Sequence, residues 1–255
     1  MKLRSKILLS FALPITFSAQ LCITNNVLAT SLNNVETSAE STNDILDGDL
    51  SYDEGAEVYI PTDEDIALNH EKLYVTSDSN SKNKTFRRSS QGFYQVLSVN
   101  CFKQETNYWC GPATVKQTIN YMNGSSSSQK TYANQLGTST SGTDMTSIPS
   151  VLNNNISSHR YSYMSIGSFS NYTNNICSAL SSGTPIVIDI KATGQEGWPY
   201  STNGHYINIS GIDSNSRHNL LMVTDPWYKA LGNNWYDASL VYTVNNNHFR
   251  QAMIW

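Results

Sequence analysis

The sequence predicts an α+β domain in which N-terminal helices pack on an antiparallel sheet, and three observations carry that expectation. Between about residues 110 and 182, apolar residues recur at three- and four-residue spacings. From Thr184 onward the period changes to runs rich in β-branched residues. Two of those runs are joined by Asp213-Ser214-Asn215-Ser216-Arg217, a turn composition, and helices followed by antiparallel strands define the class.

In chain order, Tyr94 to Val99 alternates and fits an edge strand. A first helix starts near Cys110, where Gly111-Pro112 suits a turn and the first helical positions. It carries Val115, Ile119 and Met122 on one face and stops at Asn123-Gly124, after which Ser125 to Gln129 reads as loop. A second helix fits Thr143 to Asn155, with Thr143 or Asp144 as cap and Met145, Ile148, Val151 and Leu152 apolar. A third fits Ser170 to Ser182, with Tyr172, Ile176, Ala179 and Leu180 on one face and Gly183 as its stop. Strands are expected over Thr184 to Ile190, His205 to Gly211 and Leu220 to Asp225, and two more, Ser239 to Val244 and Phe249 to Trp255, close the chain.

The chain reads in three parts. Residues 1–29 form a signal peptide: Lys2, Arg4 and Lys6 precede a short apolar run broken by Pro14, and small residues allow cleavage near Ala29. That run is too short for a stable membrane anchor. Residues 30–90 form an acidic propeptide or linker; Thr30 to Asn80 hold 13 Asp or Glu against the single Lys72, a composition that is extended or weakly ordered by itself. The basic stretch Lys82, Lys84, Arg87 and Arg88 offers a processing protease an exposed site. Residues 91–255 form the domain, whose 7 acidic and 8 basic residues argue against nucleic-acid binding. No Cys/His cluster suggests a zinc site, and no cofactor is implied. A secreted protein is expected, with cell-surface association as the variant.

Gln104 to Ala113 is the segment that most resembles chemistry. At a helix start, Cys110 meets unsatisfied N–H groups and a helix dipole that favour thiolate, as a nucleophile requires. Gln104, six residues upstream, supplies an amide that joins the Cys110 backbone N–H in holding an oxyanion. Read alone, a cysteine such as Cys110 is more often a small buried hydrophobe than a catalyst. Once Cys22 leaves with the signal, Cys101, Cys110 and Cys177 remain, an odd number in an exported chain. A Cys101–Cys177 bond leaves Cys110 free and a Cys101–Cys110 bond disables it; both pairings stay open.

The base is sought among five histidines. His70, His159, His218 and His248 read as solvated, whereas His205 opens a strand behind Gly204. A hairpin centred on Asn215 sets Ile209 opposite Leu221, Ile207 opposite Val223 and His205 opposite Asp225, where directly opposed Cβ atoms lie about 4.5–5.5 Å apart. A carboxylate there orients the imidazole and leaves its other nitrogen to the thiol. Asp189, mid-strand, Asp213, in the turn, and Asp237, in a polar connection, are weaker orienters. Trp109, Trp198 and Trp227 line a cleft or fill the core.

Four blocks in order, Gln104-x5-Cys110-Gly111-Pro112-Ala113, Leu180-x2-Gly183-x-Pro185-Ile186-Val187-Ile188, Gly204-His205-Tyr206 through Gly211-Ile212-Asp213, and Val223-x-Asp225-Pro226-Trp227, resemble the papain-like C39 peptidase family and its C39-like relatives. The resemblance spans roughly Ser98 to Trp227. It implies a papain-like fold with Cys110 as nucleophile, His205 as base and later acid, Asp225 as orienter and Gln104 as oxyanion donor. The best-known members are cytosolic domains of bacteriocin-exporting ABC transporters that trim leader peptides after a Gly-Gly pair. Here a stand-alone, secreted bacterial cysteine peptidase is expected, acting on a peptide or protein substrate without that double-glycine rule, with its propeptide as an intramolecular inhibitor. The alternatives are a Cys-dependent amidase, transferase or deamidase toxin, and a catalytically silent exported binding module on the same fold.

Overall fold

The computed structural model of the chain describes residues 62–69, 71–72, 92–215 and 217–255. The signal segment, the basic stretch at 82–88 and His70 therefore lie outside the described residues. The elements are β1 (Phe93–Val96), α1 (Cys110–Asn123), α2 (Gln129–Leu136), a 3-10 turn (Met145–Ser147), α3 (Ile148–Asn155), β2 (Tyr163–Ser165), α4 (Phe169–Ser181), β3 (Ile186–Ala192), β4 (Thr202–Ser214), β5 (Asn219–Asp225), β6 (Gly232–Asp237), α5 (Ala238–Asn247) and β7 (Ala252–Ile254).

One antiparallel sheet runs β2-β7-β3-β4-β5-β6, with β1 paired to β4. β3 is apolar on both faces because helices cover both. Ile186, Ile188 and Ile190 enter a core with Tyr172, Ile176 and Leu180 of α4 and Val241 and Val244 of α5. Val187 enters the other, with Val115 and Ile119 of α1, Leu136 of α2 and Ile148 and Leu152 of α3. Side chains alternating at period 2 make such a strand read as a nearly continuous hydrophobic run, broken here by Asp189. The expected α+β class, helices packed on an antiparallel sheet, holds: α1 bears Cys110, and the sheet bears His205 and Asp225.

The elements expected at 110–123, 143–155 and 170–182 are present, the second as a 3-10 turn leading into α3. Asp144, rather than Thr143, caps that turn, accepting from the Thr146 N–H at 2.9 Å. Gly124 ends α1 in the left-handed region at φ 75°, which only glycine enters freely.

Four expectations change. Ser239 to Val244 is not a strand but the interior of α5: Asp237 accepts from the Ser239 N–H at 2.8 Å, and Ala238, Val241, Val244 and Asn245 then fall on one buried face. β-branched residues there follow the packed face rather than their intrinsic strand preference. The strand in that region is instead β6, in what read as a polar connection. α2 occupies a region left without an element, started by Ser128 accepting from the Thr131 N–H at 3.2 Å.

The hairpin register also differs. Ile209 pairs with Val223, not Leu221, and Asn208 pairs with Thr224, because Asn215 begins the turn instead of centring it. Its side-chain carbonyl accepts from the N–H groups of Arg217 and His218, and an extra residue between Ile209 and Gly211 bulges β4.

The described part of the acidic arm is helical over 63–69 and 71–72. Thr62 and Asp65 form a reciprocal capping box, each accepting from the other's backbone N–H at 3.1 Å. Asp65, Asn69 and Lys72, at i, i+4 and i+7, then face one surface. Asp65 accepts from Tyr163 N, Asn69 donates to Tyr163 O and accepts from the Trp255 indole N–H at 2.8 Å, and Lys72 donates to Ser162 Oγ and Trp255 O. A helix this short is marginal alone, so these contacts supply its stability.

Candidate active site

Helix α1 is locked to strand β4 by a match of repeats. Four helical residues advance about 6 Å and two strand residues about 6.6 Å, so i, i+4 positions on one element meet i, i+2 positions on the other. Thr118 Oγ1 accepts from Asn208 Nδ2 at 2.8 Å, and Thr114 Oγ1 donates to Tyr206 O at 2.9 Å. The next step of the same match sets Cys110 beside Gly204-His205. Gly111 permits the helix start to sit close: a Cβ there would lie 2.4 Å from Thr143 Oγ1 and 2.7 Å from Thr143 Cβ. Thr143 is itself held by its carbonyl, which accepts from Tyr206 Oη at 2.9 Å.

His205 and Asp225 meet although the ladder between β4 and β5 stops short of them. His205 Nε2 lies 2.9 Å from Asp225 Oδ1, with the histidine 3% and the aspartate 0% exposed. Cys110 lies close enough to the same imidazole to favour its charged form. With Nε2 given to Asp225, Nδ1 is the ring nitrogen left for sulfur. Burial alone disfavours the charged imidazolium, but the Asp225 charge and hydrogen bond, joined by Cys110, outweigh it and raise His205 to about 10.

Asp225 is held on every side. Oδ1 also accepts from Trp227 N at 2.8 Å, and Oδ2 accepts from Tyr200 Oη at 2.5 Å. The edges of the Tyr200 and Trp227 rings meet the imidazole, with centroids 5.6 Å and 6.2 Å away. Trp198 and Trp227 are both buried.

Gln104 is strapped to the same turn. Its backbone N–H donates to Pro226 O at 3.0 Å, and Cys101 Sγ donates to Asp225 O at 3.0 Å. Gln104 Nε2 donates one proton to Thr106 O at 2.8 Å, which leaves its second proton for another acceptor. Cys110 is the first residue of α1, one of the positions whose N–H has no intrahelical acceptor, and Trp109 at the N-cap makes no side-chain cap bond.

Neither Cys101 nor Cys110 is in a disulfide, so neither pairing left open by the sequence forms. Cys101 is pushed up to about 11, chiefly by burial, which makes it a poor nucleophile.

Two histidines expected to be solvated are not. His248 is buried 3.5 Å from Asp189 Oδ2, and His159 is lowered to about 4 by burial, with Lys72 adding to the effect. His218 is half-exposed at the hairpin tip and touches Asp213. Asp189, set aside as an orienter, serves the site differently: its Oδ1 accepts from the His205 backbone N–H at 2.9 Å. Tyr200 was missed altogether, although the aromatic run Trp198-Pro199-Tyr200 just before His205 was its sequence signal. Among the described residues, no group of three or more His, Cys, Asp or Glu is placed to hold a metal, and no helix is long and apolar enough to cross a membrane.

Among solved structures, the peptidase domain of Streptococcus ComA, a bi-functional ABC transporter involved in a quorum sensing pathway, is similar over 62% of this chain and 96% of that one, at 16% identity and a TM-score of 0.40. Digestive procathepsin L 3 of the Tenebrio molitor larval midgut is similar over 72% of this chain and 78% of that one, at 13% identity and a TM-score of 0.45. No curated protein matches the sequence. The model of the Peptidase_C39 like family matches residues 96–253, a span that holds Gln104, Cys110, Tyr200, His205 and Asp225, and the chain belongs to that family.

Proposed function

We propose that the protein is a secreted cysteine peptidase that hydrolyses peptide bonds through Cys110, His205 and Asp225, with Gln104 in the oxyanion hole. The observation that carries the reading is the buried His205–Asp225 pair on the strand against which the helix starting at Cys110 packs. In the first half-reaction the Cys110 thiolate, paired with a His205 imidazolium that already carries the proton on Nδ1, attacks the scissile carbonyl carbon. The carbonyl oxygen, now an anion, accepts from the Cys110 backbone N–H and the spare proton of Gln104 Nε2. Collapse breaks the C–N bond as His205 Nδ1 protonates the leaving amine. In the second half-reaction His205 takes a proton from water, hydroxide adds to the thioester carbonyl, and collapse breaks the C–S bond, releasing the carboxylic acid and restoring the thiolate–imidazolium pair. Asp225 keeps Nε2–H fixed throughout, so that the reacting nitrogen stays on the sulfur side.

The acidic arm acts as a propeptide in this reading, restraining the site until it is cut near Lys82 to Arg88. Its described helix lies on Ser162, Tyr163 and Trp255, so that part serves as an anchor rather than a plug.

The closure of the site, with Cys110 only 1% exposed, favours a second reading in which the domain is an exported binding module. Hydrolysis of a labelled protein such as fluorescein-casein separates the two. The peptidase reading expects new N-termini with the wild-type chain and none with a folded Cys110→Ala variant; equal hydrolysis by both ends it.

A further inference from the structure

We propose that Tyr200 is a positioning residue of the site, its hydroxyl holding the Asp225 carboxylate in the plane that pairs with His205. The proposal rests on the Cys110–His205–Asp225 reading and extends it by one residue.

Asp225 is wholly buried, and an ionised carboxylate can only accept hydrogen bonds. Oδ1 receives both His205 Nε2 and the Trp227 N–H, whereas Oδ2 receives Tyr200 Oη. Rotation about the Cβ–Cγ bond moves both oxygens, and the two donors on Oδ1 resist it from one side only. A donor on Oδ2 stops that rotation and fills a lone pair that buried surroundings otherwise leave bare. The phenol keeps its proton for this purpose, since burial first, and then the adjacent Asp225 charge, hold Tyr200 well above the ordinary range. The same ring meets the imidazole edge-on, so one side chain fixes the carboxylate and walls the histidine. Tyr200 touches no substrate in this scheme. It acts through Asp225 on His205, and through His205 on the sulfur.

The experiment reads the alkylation rate of Cys110 by iodoacetamide, followed by peptide mass at pH 6 and pH 9, for wild type, Tyr200→Phe, Asp225→Asn and the double variant. Phenylalanine keeps the ring against His205 and removes only the donor. The pH 6 to pH 9 rate ratio is expected to fall by about tenfold in Tyr200→Phe, the scale on which partners of site ligands act, and to fall at least as far in Asp225→Asn. In the Asp225→Asn background, Tyr200→Phe is expected to lower the ratio no further, because residues acting as one unit are non-additive. An unchanged ratio in Tyr200→Phe, full additivity in the double variant, or a Tyr200→Phe chain that does not fold overturns the proposal. If Asp225→Asn itself leaves the ratio unchanged, the underlying reading of the site is what fails.

Discussion

Gln104 and His205 illustrate how single side chains carry the chemistry proposed for this chain. Gln104 Nε2 has one proton committed to Thr106 O and one to spare, and the spare one is assigned to the oxyanion. Gln104→Ala is therefore expected to lower kcat by about 10²-fold with little change in KM, since an oxyanion forms only in the transition state. Equal loss in KM would move Gln104 from transition-state stabilisation to ground-state binding. His205 makes a pH prediction of definite sign. Its folded value of about 10 lies above its ordinary 6.5, so the pairing with Asp225 contributes stability that is fully present below about 6.5 and disappears as pH rises toward 10. Thermal melts should show Tm falling through that window in the wild type and a flatter dependence in Asp225→Asn. A parallel dependence in both would place the titration elsewhere.

At the scale of elements, the site depends on how closely α1 approaches β4 and the loop at Thr143. Gly111→Ala places a methyl within 2.4–3.0 Å of three Thr143 atoms, so the helix start or the loop must move. We expect a stability loss of about 1–3 kcal/mol, the range for overpacking, together with a loss of peptidase activity exceeding that of any surface variant of α1. Denaturant unfolding beside a rate assay checks both, and a stable, fully active Gly111→Ala would contradict the close approach.

The same elements explain what could be read without a structure. Helices α1, α3 and α4 were legible because each has an apolar face, with a glycine stop after α1 and α4 and the Asp144 cap before the turn that leads into α3. β3 was legible because burial on both faces leaves a β-branched run, Ile186-Val187-Ile188 and Ile190, interrupted only by Asp189. Helix α5 was not, because Leu240, Val241, Tyr242, Thr243 and Val244 carry strand preference locally, and only packing against β3 and β5 selects the helix. The hairpin placed His205 and Asp225 together from a register that is shifted in the structure. Their meeting survives because Tyr200, the Trp227 N–H and the bulge in β4 complete the geometry, and of these only Tyr200 leaves a trace in the sequence, the aromatic pair Trp198 and Tyr200.

For the whole molecule, the sheet carries one core on each face, and the chain joins a docked helical arm to the family domain. If the arm is a propeptide, a chain beginning at Gln91 should hydrolyse protein substrates at least severalfold faster than the full-length chain, and equal rates would remove the regulatory role. The account as a whole stands on Cys110 being a thiol activated by His205. The most direct measurement is the rate of iodoacetamide alkylation at pH 6, resolved by peptide mass for Cys101, Cys110 and Cys177 in the folded chain. The account predicts that Cys110 reacts at least about 100-fold faster than the other two and that His205→Ala removes the advantage. Reaction at Cys110 no faster than at Cys101 and Cys177, or undiminished by His205→Ala, would contradict it.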